Sequence, residues 1–206
     1  MNGGVSKAAR EFELRRGTSL LIILIGIISL SADGQSPSPD ESATSASESL
    51  LPRNAVIPLT VVNRFFPEVT HEASTGQNLT AVGNPKATRS VIYVNSDNSK
   101  KVTITVDQYV SSGEASSAYQ EAVQKSKTVP GFKPVPAANL GPNAFVGTVT
   151  QGGETHIGLG ALHGTLIVGV TLAGYDPTSE TTAKLISVTR EQENAAKAAL
   201  GAIPKK

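Results

Sequence analysis

Apolar and polar positions alternate along two neighbouring stretches in the middle of the chain. Arg89 to Asn95 is rich in β-branched residues, and Lys101 to Val110 (KVTITVDQYV) repeats with a period of two. This period is that of a β-strand with one face on a core and the other in solvent. Ser96 to Ser99 favour a turn, so the pattern predicts a hairpin with one solvated face. The solvated face carries Thr103, Thr105 and Asp107, and the core face carries Val102, Ile104 and Val106.

Three further strands are predicted in the second half of the chain, at 144–151, 155–162 and 165–173. Gly152-Gly153 separates the first two, and His163-Gly164 separates the last two. Glycine supplies the positive φ that two-residue hairpin turns need. These strands are therefore predicted to be joined by tight turns.

A helix is predicted from Glu114 to about Lys127. The four residues Ser111 to Glu114 match the capping box, in which the serine oxygen and the glutamate satisfy unpaired backbone donors. The residues at helical spacing behind this box are mostly small, so the helix can pack closely on a sheet. They are Ala115, Ala118, Tyr119, Ala122 and Val123.

Two more helices are predicted at the ends of the folded region. The first is short, begins at Pro58 and stops at Pro67. The last begins at Asp176-Pro177, where Asp176 is the candidate N-cap, and ends at Gly201. Residues 68–88 are rich in Thr, Gly and Asn and are predicted to form a loop. The apolar residues of the two helices are Val61, Val62, Phe65 and Phe66, and Leu185, Val188, Ala195, Ala196, Ala199 and Leu200.

These elements follow the order α-β-β-α-β-β-β-α. The order predicts an α+β fold with a single antiparallel sheet and the helices packed on one face. The folded domain is assigned to residues 54 to 206. Because Trp is absent and aromatic residues make up only 4% of the chain, its core must be aliphatic.

The N-terminus begins with a basic segment and an apolar run. Four basic residues precede the run from Leu20 to Leu30. This arrangement is typical of the n-region and h-region of an export signal. A helix over residues 18–32 rises about 22 Å, against about 30 Å for the hydrocarbon core of a bilayer, so it is short for a membrane anchor.

The residues after the apolar run carry a resemblance to a known family. Leu30-Ser31-Ala32, with Gly34-Gln35 and the Ser/Pro/Glu-rich segment behind them, resembles the lipobox and tether of actinobacterial-type lipoproteins. In that family the next position is a cysteine whose thiolate takes the diacylglyceryl group. This chain has Asp33 there, and a carboxylate cannot form the thioether. The resemblance implies an exported, lipoprotein-like chain without the lipid attachment site.

Two fates of the N-terminal segment remain open without the thiol. Ala32-Asp33-Gly34 fits the small-residue pattern of the ordinary signal peptidase, with cleavage before Gln35. Alternatively, residues 1 to 34 are retained as a signal anchor, and this segment is then the only part that meets the membrane. The expected location is extracellular or in the cell envelope.

Residues 35 to 53 are predicted to be a flexible tether. They are rich in Ser and Pro and almost lack apolar side chains until Leu50 and Leu51. Such a stretch cannot bury enough surface to offset the entropy of ordering it.

Charge and cysteine content exclude several classes of function. The chain has 18 Lys and Arg against 17 Asp and Glu, and without residues 1 to 34 it keeps fourteen of each. A neutral body lacks the basic excess that drives binding to a phosphate backbone, so no nucleic acid partner is expected. The complete absence of cysteine excludes disulfides, thiolate metal sites and cysteine nucleophiles.

No residue pattern indicates an active site. His156 and His163 fall on neighbouring strands of one predicted hairpin, without a carboxylate cluster to complete a zinc site, and are interpreted with His71 as surface polar residues. The glycines from Gly158 to Gly164 do not match the dinucleotide fingerprint and are interpreted as β-bulges or as positions where another backbone comes close. No G-x-S-x-G motif is present. No catalytic, cofactor-binding or metal-ligating residue is therefore assigned, and no cofactor is expected.

The predicted domain also resembles a second family. The element order, and the spacing from Val129-Pro130-Gly131-Phe132 to the Gly152-Gly153 hairpin, resemble small PsbP-like domains of exported bacterial proteins, some of them sensor-type domains of unknown function. Likeness of fold does not transfer function. Helices packed against a curved sheet would leave a groove, and the glycines of residues 152 to 174 would allow close approach to the sheet, so a non-catalytic envelope protein whose domain binds or senses an apolar small molecule or a peptide is expected. The alternative is an accessory interaction protein of an envelope complex that uses the exposed sheet face of Thr103, Thr105 and Asp107.

Overall fold

The computed structural model describes residues 49–76, 83–136 and 140–201. Residues 1 to 34 and positions 35–48 of the tether, with all the interpretations placed on them, lie outside the described residues. The described strands are β1 Ser49–Leu50, β2 His71–Gly76, β3 Ala87–Val94, β4 Lys101–Gln108, β5 Lys133–Pro134, β6 Ala144–Gln151, β7 Glu154–His163 and β8 Leu166–Ala173. The helices are α1 Leu59–Val62, α2 Ser112–Thr128 and α3 Ser179–Gly201, with a 3₁₀ turn at Arg53–Ala55.

The strands form one sheet with the order β1-β3-β4-β8-β7-β6-β5, and β2 also pairs with β3. All pairings are antiparallel except that of β1 with β3. The α+β class and the single antiparallel sheet are confirmed. The predicted elements all occur in their predicted order. Three short strands are additional: β1 precedes α1, β2 lies between α1 and β3, and β5 lies between α2 and β6.

β2 lies within the region 68–88 that was predicted to be a loop. Its sequence, HEASTG, has no apolar alternation, and the side chains of residues 71–74 are exposed. The strand instead owes its place to backbone pairing with β3, with an irregularity between Glu72 and Ser74. A strand held mainly by backbone pairing leaves little trace in the hydrophobic pattern.

The helices lie on both faces of the sheet, so the prediction that they share one face is wrong. Alternate residues of β8 belong to two separate apolar clusters. Val168 and Val170 pack in the cluster that contains residues of α3, whereas Ile167 packs in the cluster that contains residues of α2. Because neighbouring side chains of a strand point to opposite faces, α2 and α3 lie on opposite sides. β8 is buried along its whole length, so both of its faces need a cover.

The sheet face predicted to be solvated is buried. Thr103, Thr105 and Asp107 are each at most 5% exposed. The hydroxyl of Thr88 on β3 donates to Asp107 Oδ1 at 2.6 Å, and a second hydroxyl pair, Ser90 with Thr105, lies at 3.0 Å. These polar groups can be buried because they form hydrogen bonds with groups on the neighbouring strand. The surface on which the accessory-protein alternative depended is therefore not exposed.

The fold begins earlier than residue 54. Ser49 and Leu50 pair in parallel with Ala87 and Thr88, and Leu51 is 2% exposed. The Leu51 carbonyl accepts a hydrogen bond from the Arg89 guanidinium. Backbone pairing and one buried leucine thus extend the domain into the segment assigned to the tether.

α3 joins the N-terminal part of the domain through one buried glutamine. Gln192 is fully buried, its Oε1 accepts from the Ile57 backbone N–H at 3.0 Å, and its Nε2 donates to the Ala55 carbonyl at 2.6 Å. The helix starts two residues later than Asp176-Pro177 suggested. Thr178 caps it, because its hydroxyl accepts from the Thr181 backbone N–H at 3.1 Å.

The turn between β7 and β8 also differs by one residue from the prediction. His163 pairs with Leu166, so the two-residue connection is Gly164-Thr165, with Gly164 at φ 58°. The Gly152-Gly153 turn is confirmed, with both glycines at positive φ.

Candidate functional site

The N-terminal half of α2 forms one wall of an open depression. The Ser111 hydroxyl accepts from the Glu114 backbone N–H at 3.2 Å, which fixes the start of the helix as the capping box predicts. The inner face of α2 packs on the sheet, and the Tyr119 hydroxyl donates to the Gly160 carbonyl of β7 at 3.3 Å. The opposite face of this first half, around Ser117, therefore stays accessible.

This depression, called here the α2 groove, has a volume of about 720 Å³. Its second wall comes from the segment before β3: Gly83 lies against α2, since a Cβ placed on it would come within 3.8 Å of the Ala118 Cβ. Its volume is in the usual range of small-molecule sites. The groove is lined by Asn84, Tyr109, Ser111, Gly113, Glu114, Ser117, Ala118 and Glu121.

The groove combines an apolar floor with a polar rim. Tyr109 is 3% exposed, and burial, with the nearby Asp107 carboxylate, raises the pKa of its hydroxyl, so that this group stays protonated. On the rim, the Glu121 carboxylate pairs with Lys125 at 2.5 Å. Val110 follows Tyr109 in the chain and is 72% exposed.

The described lining of the groove is rich in hydrogen-bonding groups. Its side chains offer hydroxyl, amide and carboxylate groups, which can donate or accept hydrogen bonds. Among the described residues that line it there is no histidine, cysteine or lysine.

A second depression of about 540 Å³ lies at the opposite end of the sheet. It is formed largely by turns, with Gly152-Gly153 on one side and Gly174 on the other. Its described lining includes the ring of Tyr175, and the Lys100 ammonium lies 5.1 Å from the centre of that ring. Its lining is Ser99, Gly152, Gly153, Glu154, Thr155, Gly174, Tyr175 and Asp176.

The histidines do not come together. His156 and His163 both lie on β7, seven positions apart, and so point to opposite faces of the sheet. His163 Nε2 lies 2.9 Å from the Glu193 carboxylate of α3, whereas His71 is exposed. His156 is 5% exposed, so its interpretation as a surface residue is wrong. Its neighbours across the strands, Val149 and Ala173, are apolar and buried.

The buried imidazole of His156 should make stability depend on pH. Burial lowers the pKa of His156; the Glu154 carboxylate at 3.7 Å opposes this shift, and Lys101 adds to it. Because the folded pKa lies below the unfolded value of about 6.5, the contribution to stability is full above that pH and is lost as the pH falls below it.

We expect the urea midpoint of the wild type to fall between pH 7.5 and 5.5 by more than that of His156→Leu. His71→Gln, which changes an exposed histidine, should keep the wild-type dependence. Parallel curves for the wild type and His156→Leu would contradict this origin of the pH effect.

The glycines of the 158–164 segment lie on or beside β7. Gly158 and Gly160 pair with Gly147 and Gly169 of the neighbouring strands, on the face where α2 packs. At Gly160 the neighbouring element is α2, since the Tyr119 hydroxyl donates to the Gly160 carbonyl. The glycines do not connect a strand to a helix, as a dinucleotide loop would.

In the described ranges, no group of three or more His, Cys, Asp or Glu is placed to hold a metal ion. No helix among the residues that the structure describes is long and apolar enough to cross a membrane.

Sequence reasoning did not find the α2 groove. Asn84 falls in the predicted loop of residues 68–88, and no sequence pattern singles out Ser117 or Glu121. The one available signal was Val110, an apolar residue between the end of a strand and a helix cap.

No protein-family model and no curated protein matches the chain. Among solved structures, the extracellular domain of PknH from Mycobacterium tuberculosis is similar, with a TM-score of 0.50 and 12% identity over 68% of this chain and 93% of that chain. LpqN of the same organism, involved in cell envelope biogenesis, aligns with a TM-score of 0.30 and 14% identity over 59% of this chain and 76% of that chain. The first similarity concerns the fold. The resemblance to PsbP-like domains stays a prediction.

Proposed function

We propose that the chain is a non-catalytic exported protein of the cell envelope whose α+β domain binds an extended peptide segment in the α2 groove. The observation that carries the proposal is the groove itself. It is open along one side, has the buried ring of Tyr109 in its floor, and has hydrogen-bonding groups along its rim.

The shape of the groove favours a peptide over an enclosed apolar molecule. Pockets for small apolar ligands bury most of the ligand surface. The α2 groove is open to solvent, and its rim carries Ser117, Glu121 and Asn84, which suit backbone amides and polar side chains. Val110, exposed beside it, offers a contact for one apolar side chain.

Export is part of the proposal. It rests on the basic and apolar N-terminal segment. The fold, shared with the extracellular domain of PknH, is in keeping with it. The retained or cleaved state of residues 1 to 34 stays open, and no nucleic acid partner is proposed.

The proposal can be tested by photo-cross-linking in exporting cells. A benzophenone amino acid placed at Ser117 should give a peptide adduct after irradiation, whereas the same group at Gln120 should give none. Gln120 is exposed on the same helix but does not line the groove, so it is a matched control.

The Ser117 adduct should decrease when Glu121→Gln is added, because a rim acceptor is weakened. Equal labelling at both positions, or none at either, would contradict binding in the groove.

A further inference from the structure

One short segment connects the α2 groove to the point where the N-terminal part of the chain enters the domain. Asn84 lines the groove, and Ala87 and Thr88, a few residues later, are the pairing partners of β1. Pro85, between them, is buried and has a fixed φ, so the segment has little freedom to absorb a displacement. A shift of Asn84 is therefore expected to reach the partner of β1.

Thr88 provides a second connection. Its carbonyl accepts from the Leu51 backbone N–H at 3.1 Å, directly after β1. Its hydroxyl donates to Asp107 at 2.6 Å, two residues before Tyr109 on the groove floor. One residue thus contacts both the entering chain and the strand that leads into the groove.

The pairing of β1 with β3 is weak enough to respond to a displacement of residues 84–88. β1 has two residues, pairs in parallel with β3, and carries Leu50 at 45% exposure. Short edge elements with few buried contacts open with a low free energy. Leu51, 2% exposed, holds the end of β1 that joins the domain.

We propose that occupation of the α2 groove tightens the pairing of β1 with β3, so that the state of the groove is passed to the N-terminal segment of the chain. The identity of the natural ligand, an extended peptide, rests on the proposed function. The coupling between the groove and β1 does not depend on that identity. Any group that fills the groove and packs on Asn84 should stabilise the segment up to Thr88 and, with it, β1. Thermodynamic linkage makes this coupling reciprocal: the free energy by which occupation of the groove stabilises the pairing of β1 equals the free energy by which that pairing favours occupation of the groove.

The coupling can be tested without a ligand. In the full-length protein, Ser117→Trp places a large side chain in the groove. Hydrogen exchange at the Leu51 amide should then be slowed, by about fivefold for a coupling at the lower end of the usual range. Gln120→Trp, with the same side chain outside the groove, should leave that exchange unchanged.

A second groove variant, Glu121→Trp, allows the same test if Ser117→Trp does not fold. Amides in the central strand β8 serve as the internal reference for an intact fold. Unchanged or faster exchange at Leu51 in the folded groove variants, or an equal effect from Gln120→Trp, would overturn the coupling. The proposed function fails separately, if the cross-linker at Ser117 gives no adduct.

Discussion

Gln192→Leu is expected to lower the free energy of unfolding by about 4 kcal/mol, because it leaves two buried backbone groups without partners. The leucine keeps most of the volume of the glutamine but removes the acceptor for the Ile57 N–H and the donor for the Ala55 carbonyl. Gln192 is fully buried, so water has no direct access to replace it. Urea unfolding measures the loss.

Gln120→Leu is the matched control, since it makes the same chemical change at an exposed position of α2. It should change the free energy of unfolding by no more than about 0.5 kcal/mol. Similar losses for the two variants would show that the bonds of Gln192 contribute little to stability.

Gly174→Ala is expected to be about as damaging, with a loss of about 4 kcal/mol from backbone strain and overpacking together. Gly174 follows β8 with φ at 77°, and a Cβ there would lie 1.9 Å from the Ser99 carbonyl oxygen in the turn between β3 and β4. That oxygen belongs to the backbone, so it cannot rotate away as a side chain could.

Gly164→Ala separates the two causes. Gly164 has φ at 58°, but a Cβ placed on it meets no atom within 4 Å. Its loss should be only the strain of the left-handed conformation, about 1 kcal/mol. Equal losses at the two glycines, measured by thermal or urea unfolding, would refute the steric clash with the β3–β4 turn.

The parts of the fold that depend on local pattern could be predicted. The strands from Ala144 to Ala173 are continuous strand-forming runs separated by glycine turns, so their predicted bounds fall within two residues of the structure. The capping box at Ser111 placed the start of α2 for the same local reason.

The parts of the fold that depend on residues distant in the sequence could not be predicted. The burial of Asp107 needs the Thr88 hydroxyl from another strand, and a polar residue in an alternating strand is ordinarily read as solvated. The faces chosen by α2 and α3 follow from β8, which is apolar on both sides and therefore gives no alternation to read. The α2 groove joins Asn84 to Glu121, residues that only the folded sheet brings together.

Because the tyrosines are buried, their phenolate absorbance can be used to follow the unfolding of the protein. All four tyrosines are buried, one or more in each of the two apolar clusters, and the chain has no tryptophan to mask their absorbance. Burial raises the pKa of each one, to about 12 for Tyr119. The folded protein therefore resists forming phenolate in moderate alkali, whereas an unfolded chain does so near pH 10. Phenolate absorbance will consequently appear together with the loss of the fold, and it will do so on both sides of the sheet.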